Sequence, residues 1–288
     1  MIPPAFEYLR PKTLPEAVGL LQQHGDDAKI LSGGQSLIPM MKLRLARPSH
    51  LIDINRIAGL SYIKEDGGFL KIGALTREAE LESSELVRTK YPLLLDTATV
   101  IADPQVRNLA TVGGNLAHGD PANDHPATML ALRAQVVATG AKGERVIAID
   151  DFFVSLFTTA LEHGEILTEI RIPIPAPRSG GSYVKLERKV GDFATAAVAV
   201  QLTLDDKGAV QNAGIGLTNV GGTPIRAKSA EDSLRGKKLD AAAIGQAAQL
   251  AADAAQPSSD LRGPAEYKTG LIKELTKRAL ARAVERAR

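Results

Sequence analysis

Apolar residues Ala17, Leu20 and Leu21 recur at helical spacing behind Thr13, Pro15 and Glu16, and Gly25 follows, a pattern that predicts a capped helix near the start of the chain. A short strand is expected from Ala28 to Leu31. It runs into Ser32-Gly33-Gly34-Gln35-Ser36, and the apolar run Leu37 to Met41 predicts a helix or turn packed beneath that loop. Leu51 to Ile54, Tyr62 to Lys64 and Phe69 to Leu75 have strand character, whereas Arg77 to Val87 and Leu93 to Ile101 carry helical spacing. A second glycine pair, in Thr111-Val112-Gly113-Gly114-Asn115, opens a segment rich in turn residues that reads as a shaped loop from His118 through Asp120, Pro121, Asn123, Asp124 and His125 to Pro126. Pro173, Pro175 and Pro177 with Gly180 and Gly181 read as a linker, so a C-terminal domain is expected to begin near Arg178. Strands are expected there over Ser182 to Arg188, Ala194 to Leu204 and Ala209 to Thr218, and amphipathic helices over Leu239 to Ala254 and Thr269 to Ala287. Such alternation argues for an α/β or α+β protein.

Composition narrows the chemistry. A length of 288 residues exceeds one ordinary compact domain, so two or three subdomains are expected. The net charge of +2 gives no large field to attract nucleic acid or a membrane surface. No apolar run is long enough to span a bilayer, and Met1 to Arg10 lacks a charged segment followed by a hydrophobic one, so a soluble, cytoplasmic chain is expected. Cysteine is absent, which removes disulfides, thiolate catalysis and cysteine-ligated iron–sulfur clusters. Any redox chemistry must use a borrowed cofactor.

Paired glycines let a backbone come close to a ligand and let successive N–H groups converge on phosphate oxygens. One pair alone more often makes a tight turn. Two pairs flanked by Ser, Thr or Asn favour a ligand, and Ser36, Thr111 and Asn115 would add side-chain donors to a diphosphate, which points to a dinucleotide. Neither pair sits in a G-x-G-x-x-G fingerprint or ends in Gly-Lys-Ser/Thr, so a Rossmann site and an ATP-hydrolysing loop lose support. His118, Asp120, Asp124 and His125 could be read as metal ligands, although their spacing matches no ligand motif; the plainer reading is a loop whose aspartates bond local backbone or ligand. A metal-dependent hydrolase using His118 to His125 and a non-catalytic nucleotide-binding scaffold therefore stand as rivals. A nucleophilic Ser36 lacks the trailing glycine of a nucleophile elbow. Lys185, Arg188, Lys189, Asp192 and Phe193 form a polar cluster that reads as a solvated strand edge, or, beside a flavin, as a charge for the reduced ring and an aromatic cover. The basic end, Lys273 to Arg288, reads as a solvated helix face or a docking face.

Several stretches resemble one family along nearly the whole chain. They are Met1-Ile2-Pro3 with Phe6-Glu7-Tyr8, Ser32 to Ser36, Leu51 to Asn55, and Ile101-Ala102-Asp103-Pro104-Gln105-Val106-Arg107-Asn108 leading into Thr111 to Asn115. Gly119-Asp120-Pro121 with Asn123-Asp124, Lys185 to Thr195, Gly216 to Val220, and Asp260-Leu261-Arg262-Gly263 with Tyr267-Lys268 extend the match. The chain resembles the FAD-binding medium subunits of molybdenum hydroxylases, the xanthine oxidase family, and within it most closely the branch serving aerobic carbon monoxide dehydrogenase. The resemblance implies an α+β protein: a two-subdomain FAD-binding fold of the vanillyl-alcohol-oxidase/PCMH type over residues 1–57 and 58–177, then an α+β C-terminal domain, 178–288, with a small antiparallel sheet and helices covering the flavin. It implies non-covalent FAD, its diphosphate held by Ser32, Gly33, Gly34, Gln35 and Ser36 and by Thr111, Gly113, Gly114 and Asn115. Asp124 would contact the cofactor, and Ile101, Ala102, Leu167, Lys185 and Phe193 would lie near the isoalloxazine.

The same resemblance gives the chain partners: a large subunit carrying the molybdenum cofactor and a small one carrying [2Fe–2S] clusters, in a dimer of heterotrimers. Electrons would pass through FAD to a quinone-like or other acceptor. Carbon monoxide is the substrate the closest branch implies, with aldehydes or N-heterocycles as the alternatives; substrate oxidation would occur in another chain. A cytoplasmic location follows, which the complex could bring to the inner face of the membrane. The chain departs from close relatives at Ser32 and Gln35, where they carry Ala and His, and at Phe193, where Tyr is common.

Overall fold

The structure is a computed structural model that describes residues 1–288. It opens with strand β1 (Glu7–Leu9), helix α1 (Leu14–His24), β2 (Ala28–Leu31), α2 (Leu37–Lys42) and β3 (His50–Asp53). Thr13 Oγ1 accepts the Glu16 N–H to start α1, and Gly25, at φ +58°, stops it. The three strands form an all-parallel sheet in the order β1-β3-β2, with Ala17 and Val18 of α1 closing a small core against Ala28, Ile52 and Ile54.

Next come β4 (Ile63–Asp66), β5 (Phe69–Gly73), α3 (Glu78–Ser83), α4 (Glu85–Lys90), α5 (Pro92–Thr99), α6 (Pro104–Arg107), α7 (Val112–Ala117) and α8 (Asp124–Ala131). Strands β6 (Gln135–Gly140), β7 (Gly143–Ala148), the pair β8 (Phe153–Ser155) and β9 (Thr158–Thr159), and β10 (Ile166–Pro173) follow. An antiparallel sheet, β4-β5-β10-β6-β7, shares a second core with α3, α5, α7 and α8. The expected single helix over Arg77 to Val87 is broken at Ser84, whose extended backbone ends α3 while its hydroxyl accepts the Val87 N–H to start α4. The expected loop through Pro126 is also corrected: α8 begins at Asp124, and Pro126 lies in its first turn, where a missing N–H costs no helical bond.

The last part holds β11 (Ser179–Leu186), β12 (Ala196–Leu204), β13 (Val210–Thr218), β14 (Ile225–Arg226), α9 (Lys228–Leu234), α10 (Ala241–Ala254) and α11 (Ala265–Ala287). Its antiparallel sheet runs β11-β12-β13-β14. Period-two alternation divides β12: Val198, Val200 and Leu202 face α10 and α11, whereas Ala197 and Ala199 face α5 and α8. Small residues on the second face bring backbones together. A Cβ on Gly214 or Gly216 would strike the Ala131 or Ala127 carbonyl of α8; on the opposite face, one on Gly180 would strike α11 at Ala283. Arg286 of α11 bonds Asp96 of α5 at 2.7 and 3.0 Å, and Arg226 of β14 reaches Asp150 at 2.9 Å, so polar ties reinforce that seam.

Candidate functional site

Residues 32–36 bridge the end of β2, packed in the first core through Ala28 and Ile30, and the start of α2, whose Met41 is buried. The backbone N–H groups of Ser32, Gly33, Gly34, Gln35 and Ser36 donate to no protein acceptor. Gly34 takes φ +72°, a left-handed turn that suits glycine, and Gln35 Nε2 folds back onto the Gly33 carbonyl at 3.3 Å. The result is a run of unpaired donors, the pattern that binds anions.

The second pair behaves differently. Residues 112–117 form α7 rather than a turn, and their donors are spent within the protein. Val112 N–H reaches the Thr76 carbonyl at 3.0 Å, Gly113 N–H the Ala74 carbonyl at 3.0 Å, and Asn115 N–H the Thr111 carbonyl at 3.0 Å. Gly114 N–H donates to Thr111 Oγ1 at 3.1 Å, which in turn donates to Ser32 Oγ at 3.2 Å. A Cβ on Gly113 would lie 2.6 Å from the Ala74 Cβ and 2.8 Å from its Cα, so this glycine serves close packing of α7 on the turn after β5. The second segment therefore offers a ligand chiefly the Asn115 amide, whose Oδ1 is buried without a partner.

The two segments are joined by residues that carried no role in the sequence reading. Asn55 Nδ2 donates to the Ser32 carbonyl at 2.8 Å, and its Oδ1 accepts from Arg77 Nη2 at 2.6 Å. Arg77 Nη1 also donates to the Leu109 carbonyl, the atom against which a Cβ on Gly33 would collide. Asn55 closes a matched motif, the one signal that could have marked it; Arg77, read only as the first residue of an expected helix, gave none.

Between these walls lies a cavity of about 830 Å³, within the size range of cofactor sites. It is lined by Ser32, Gly33, Gly34, Gln35, Ser36, Ile101, Ala102, Thr111, Gly114, Asn115, Asp124 and Phe193. Gly113 and Leu167 face a smaller neighbouring cavity that shares Ser32 and Gly114 with the large one. Ala102 has φ +45°, and its carbonyl and that of Ile101 are held by Arg107 Nη1 at 3.2 and 3.0 Å.

Lys185 is not on the cavity wall. Its side chain is 3% exposed and buried behind the site, with Nζ 3.1 Å from Asp124 Oδ2, 3.2 Å from Glu187 Oε2 and 3.0 Å from the Val100 carbonyl. The solvated-edge reading of this lysine is thus corrected: its charge is already balanced by two carboxylates. Tyr183, two residues earlier on the same face of β11, donates to Asp124 Oδ1 at 2.7 Å. Burial pushes the Asp124 carboxyl above its ordinary range, against Lys185 and Tyr183, which pull it down; burial and Asp124 together push the Tyr183 hydroxyl well up.

The four side chains weighed as metal ligands diverge. His125 Nε2 pairs with Glu78 at 2.8 Å in full burial, Asp124 turns to Lys185, and Asp120 Oδ1 accepts the Ala122 N–H at 2.9 Å. His118 packs on Phe157 with ring centroids 5.1 Å apart, and burial lowers its pKa.

Comparison with known proteins places this geometry. A family model for the FAD-binding domain of molybdopterin dehydrogenases matches residues 4–175. This chain belongs to that family. A further model, for the C-terminal domain of CO dehydrogenase flavoproteins, matches residues 181–283. Among curated relatives, the carbon monoxide dehydrogenase medium chain of Hydrogenophaga pseudoflava is 49% identical over 97% of both chains. Subunit alpha of the 6-hydroxypseudooxynicotine dehydrogenase complex of Paenarthrobacter nicotinovorans is 39% identical over 100% of this chain and 97% of that one. A solved structure of carbon monoxide dehydrogenase from Hydrogenophaga pseudoflava, lacking the Mo-pyranopterin moiety, superposes with a TM-score of 0.97 at 50% identity over 99% of both chains. Membership makes this chain an FAD-binding subunit, and the α+β architecture expected from the sequence is the one observed. No helix is long and apolar enough to cross a membrane.

Proposed function

We propose that this chain is the electron-relay subunit of a carbon monoxide dehydrogenase-type complex. It would take electrons from [2Fe–2S] clusters on a small partner subunit, downstream of a molybdenum cofactor on a large one, and release them to an external, quinone-like acceptor. The observation that carries the site assignment is the run of unpaired N–H groups at residues 32–36 facing a cavity of about 830 Å³. A dinucleotide fits these residues: the run suits its diphosphate, and the orphaned Asn115 Oδ1 needs a donor, such as a ribose hydroxyl, that the protein does not supply.

FAD, when bound, supplies the redox chemistry; the protein's residues bind, orient and shield it. Residues 32–36 would donate to the diphosphate through backbone N–H groups and Asn115 through its Nδ2, while Thr111, whose proton goes to Ser32 Oγ, would hold Ser32 in place. Asn55 and Arg77 keep those walls at a fixed spacing. Ile101, Ala102 and Phe193 would flank the ring, with Leu167 in the adjoining cavity. Lys185 would act through Asp124 rather than by touching the ring, because its ammonium group is enclosed by carboxylates. A dimer of heterotrimers is the proposed assembly, in the cytoplasm.

An absorption spectrum of the chain co-expressed with its partner subunits, with flavin quantified after acid release, tests this reading. One non-covalent FAD per chain, bleached when carbon monoxide is added anaerobically, is the expected result. A complex without flavin would overturn the site, whereas bound flavin bleached only by an aldehyde or an N-heterocycle would overturn the substrate.

A further inference from the structure

Phe193 lines the cavity yet is 45% exposed, so its ring lies at the rim. Two segments meet there. One is the Ile101–Ala102 turn, already pinned by Arg107. The other is Gly191 to Phe193, in contact with it: a Cβ on Gly191 would lie 3.0 Å from the carbonyl carbon and oxygen of Ala102.

The second segment is tied from a distant part of the chain. Arg262 Nη2 donates to Asp192 Oδ1 at 2.9 Å, and the guanidinium carbon stands 5.9 Å from the centre of the Phe193 ring. Asp192 passes the constraint on, because its Oδ1 also accepts the Phe193 N–H at 2.8 Å and its Oδ2 accepts Arg188 Nε at 3.0 Å. Arg262 is itself anchored. Its N–H donates to Asp260 Oδ1 at 2.8 Å, and Asp260 Oδ2 accepts Lys268 Nζ at 2.7 Å. Lys268, 1% exposed on α11, adds a bond to the Ser258 carbonyl at 3.1 Å. A lysine so deeply buried needs its partners, which makes the 258–263 turn a fixed post rather than a loose surface loop.

We infer that Arg262 is a positioning residue that clamps the Gly191–Phe193 segment against the Ala102 turn and so holds Phe193 over the ring end of the cavity. The inference deepens the proposed FAD site and rests on that reading. Burial alone would raise the Asp192 carboxyl, but bonds from Arg262 and Arg188 and the Phe193 N–H hold it at about 2, so the clamp is charged throughout the neutral range. A bare surface ion pair would contribute little; this one bonds a nearly buried carboxylate, orients a ring and is braced from α11.

The test compares wild type with Arg262→Met and Arg262→Lys, as the full chain and as the FAD-loaded complex. Amide hydrogen exchange over residues 187–193 of the chain without FAD reads the clamp directly. Exchange faster by about tenfold in Arg262→Met, with a smaller rise in Arg262→Lys, is expected. The visible circular dichroism of the flavin in the complex is expected to change in the same order. Exchange equal to wild type in both variants overturns the clamp. Faster exchange with an unchanged flavin spectrum overturns the placement of Phe193 over the ring. Should Arg262→Met fail to fold, Arg262→Lys decides alone, since it keeps the charge and loses the planar fork. A wild-type complex without FAD would sink the cofactor reading, while the exchange experiment would still judge the clamp.

Discussion

Gly33-Gly34 and Gly113-Gly114 look alike in sequence and do opposite work. The first leaves its N–H groups unpaired before a cavity; the second gives its donors to the Ala74 carbonyl and the Thr111 hydroxyl, and uses missing side chains to seat α7. A glycine pair announces that something comes close to the backbone. Whether that neighbour is a ligand or the protein itself depends on where the adjacent carbonyls lie.

The comparison breaks most readily at Gly113. Gly113→Val should lower the unfolding free energy of the FAD-free chain by about 3 kcal/mol or prevent folding, because the added carbons meet Ala74 backbone that cannot turn aside. Urea unfolding followed by circular dichroism measures this; an unchanged midpoint with lost flavin would make the second pair a ligand cradle after all. At Gly34, by contrast, the obstacles to a Cβ are the flexible ends of Ile38 and Leu31, 2.8 and 3.1 Å away, so Gly34→Ala should cost stability only about 1–2 kcal/mol through its positive φ. Its larger effect should be on FAD affinity, which flavin-fluorescence titration should find reduced by about tenfold or more as the N–H run is bent away.

Arg77→Met should weaken FAD severalfold, about 1 kcal/mol, by letting the two walls drift. Restoring affinity with Arg77→Lys would argue for charge alone and against the forked tie between Asn55 and Leu109. The smallest effect concerns pH. The Asp192 carboxyl, depressed to about 2 in the folded chain, contributes stability that is complete above the ordinary carboxylate range and is lost as pH falls from about 4 toward 2. Carboxyl-carbon NMR should show no Asp192 titration between pH 5 and 8, conditions chosen to lie about three units or more above its midpoint. Its midpoint should rise in Arg262→Met.

Much of this was legible in the sequence. Helix α1, the strand before the first glycine loop, the three long C-terminal strands and both long C-terminal helices announce themselves by spacing and caps. Strands β6 and β10 do not. Val136, Val137 and Ala138 are buried in succession, so β6 lacks alternation, and a register shift between Leu167 and Glu169 interrupts the alternation of β10. At the site, local glycines marked residues 32–36 and 111–115, but the Asn55–Arg77 tie spans 22 positions and the Arg262–Asp192 tie 70. No local pattern encodes partners so far apart. The fate of Lys185 was hidden for the same reason: its burial depends on Asp124, brought beside it only when the C-terminal sheet packs on α8.

That packing also constrains traffic. With the backbone of β13 laid against carbonyls of α8 at Gly214 and Gly216, the C-terminal sheet is welded on rather than hinged, and the C-terminal part reaches the cavity wall through Gly191, Asp192 and Phe193. A cofactor in that cavity would have no door that swings as a whole domain, and of the C-terminal part only the short segment beside Ala102 would bear on its loading and loss. The residence time of a cofactor there would then answer to a few loop residues rather than to the stability of the fold as a whole.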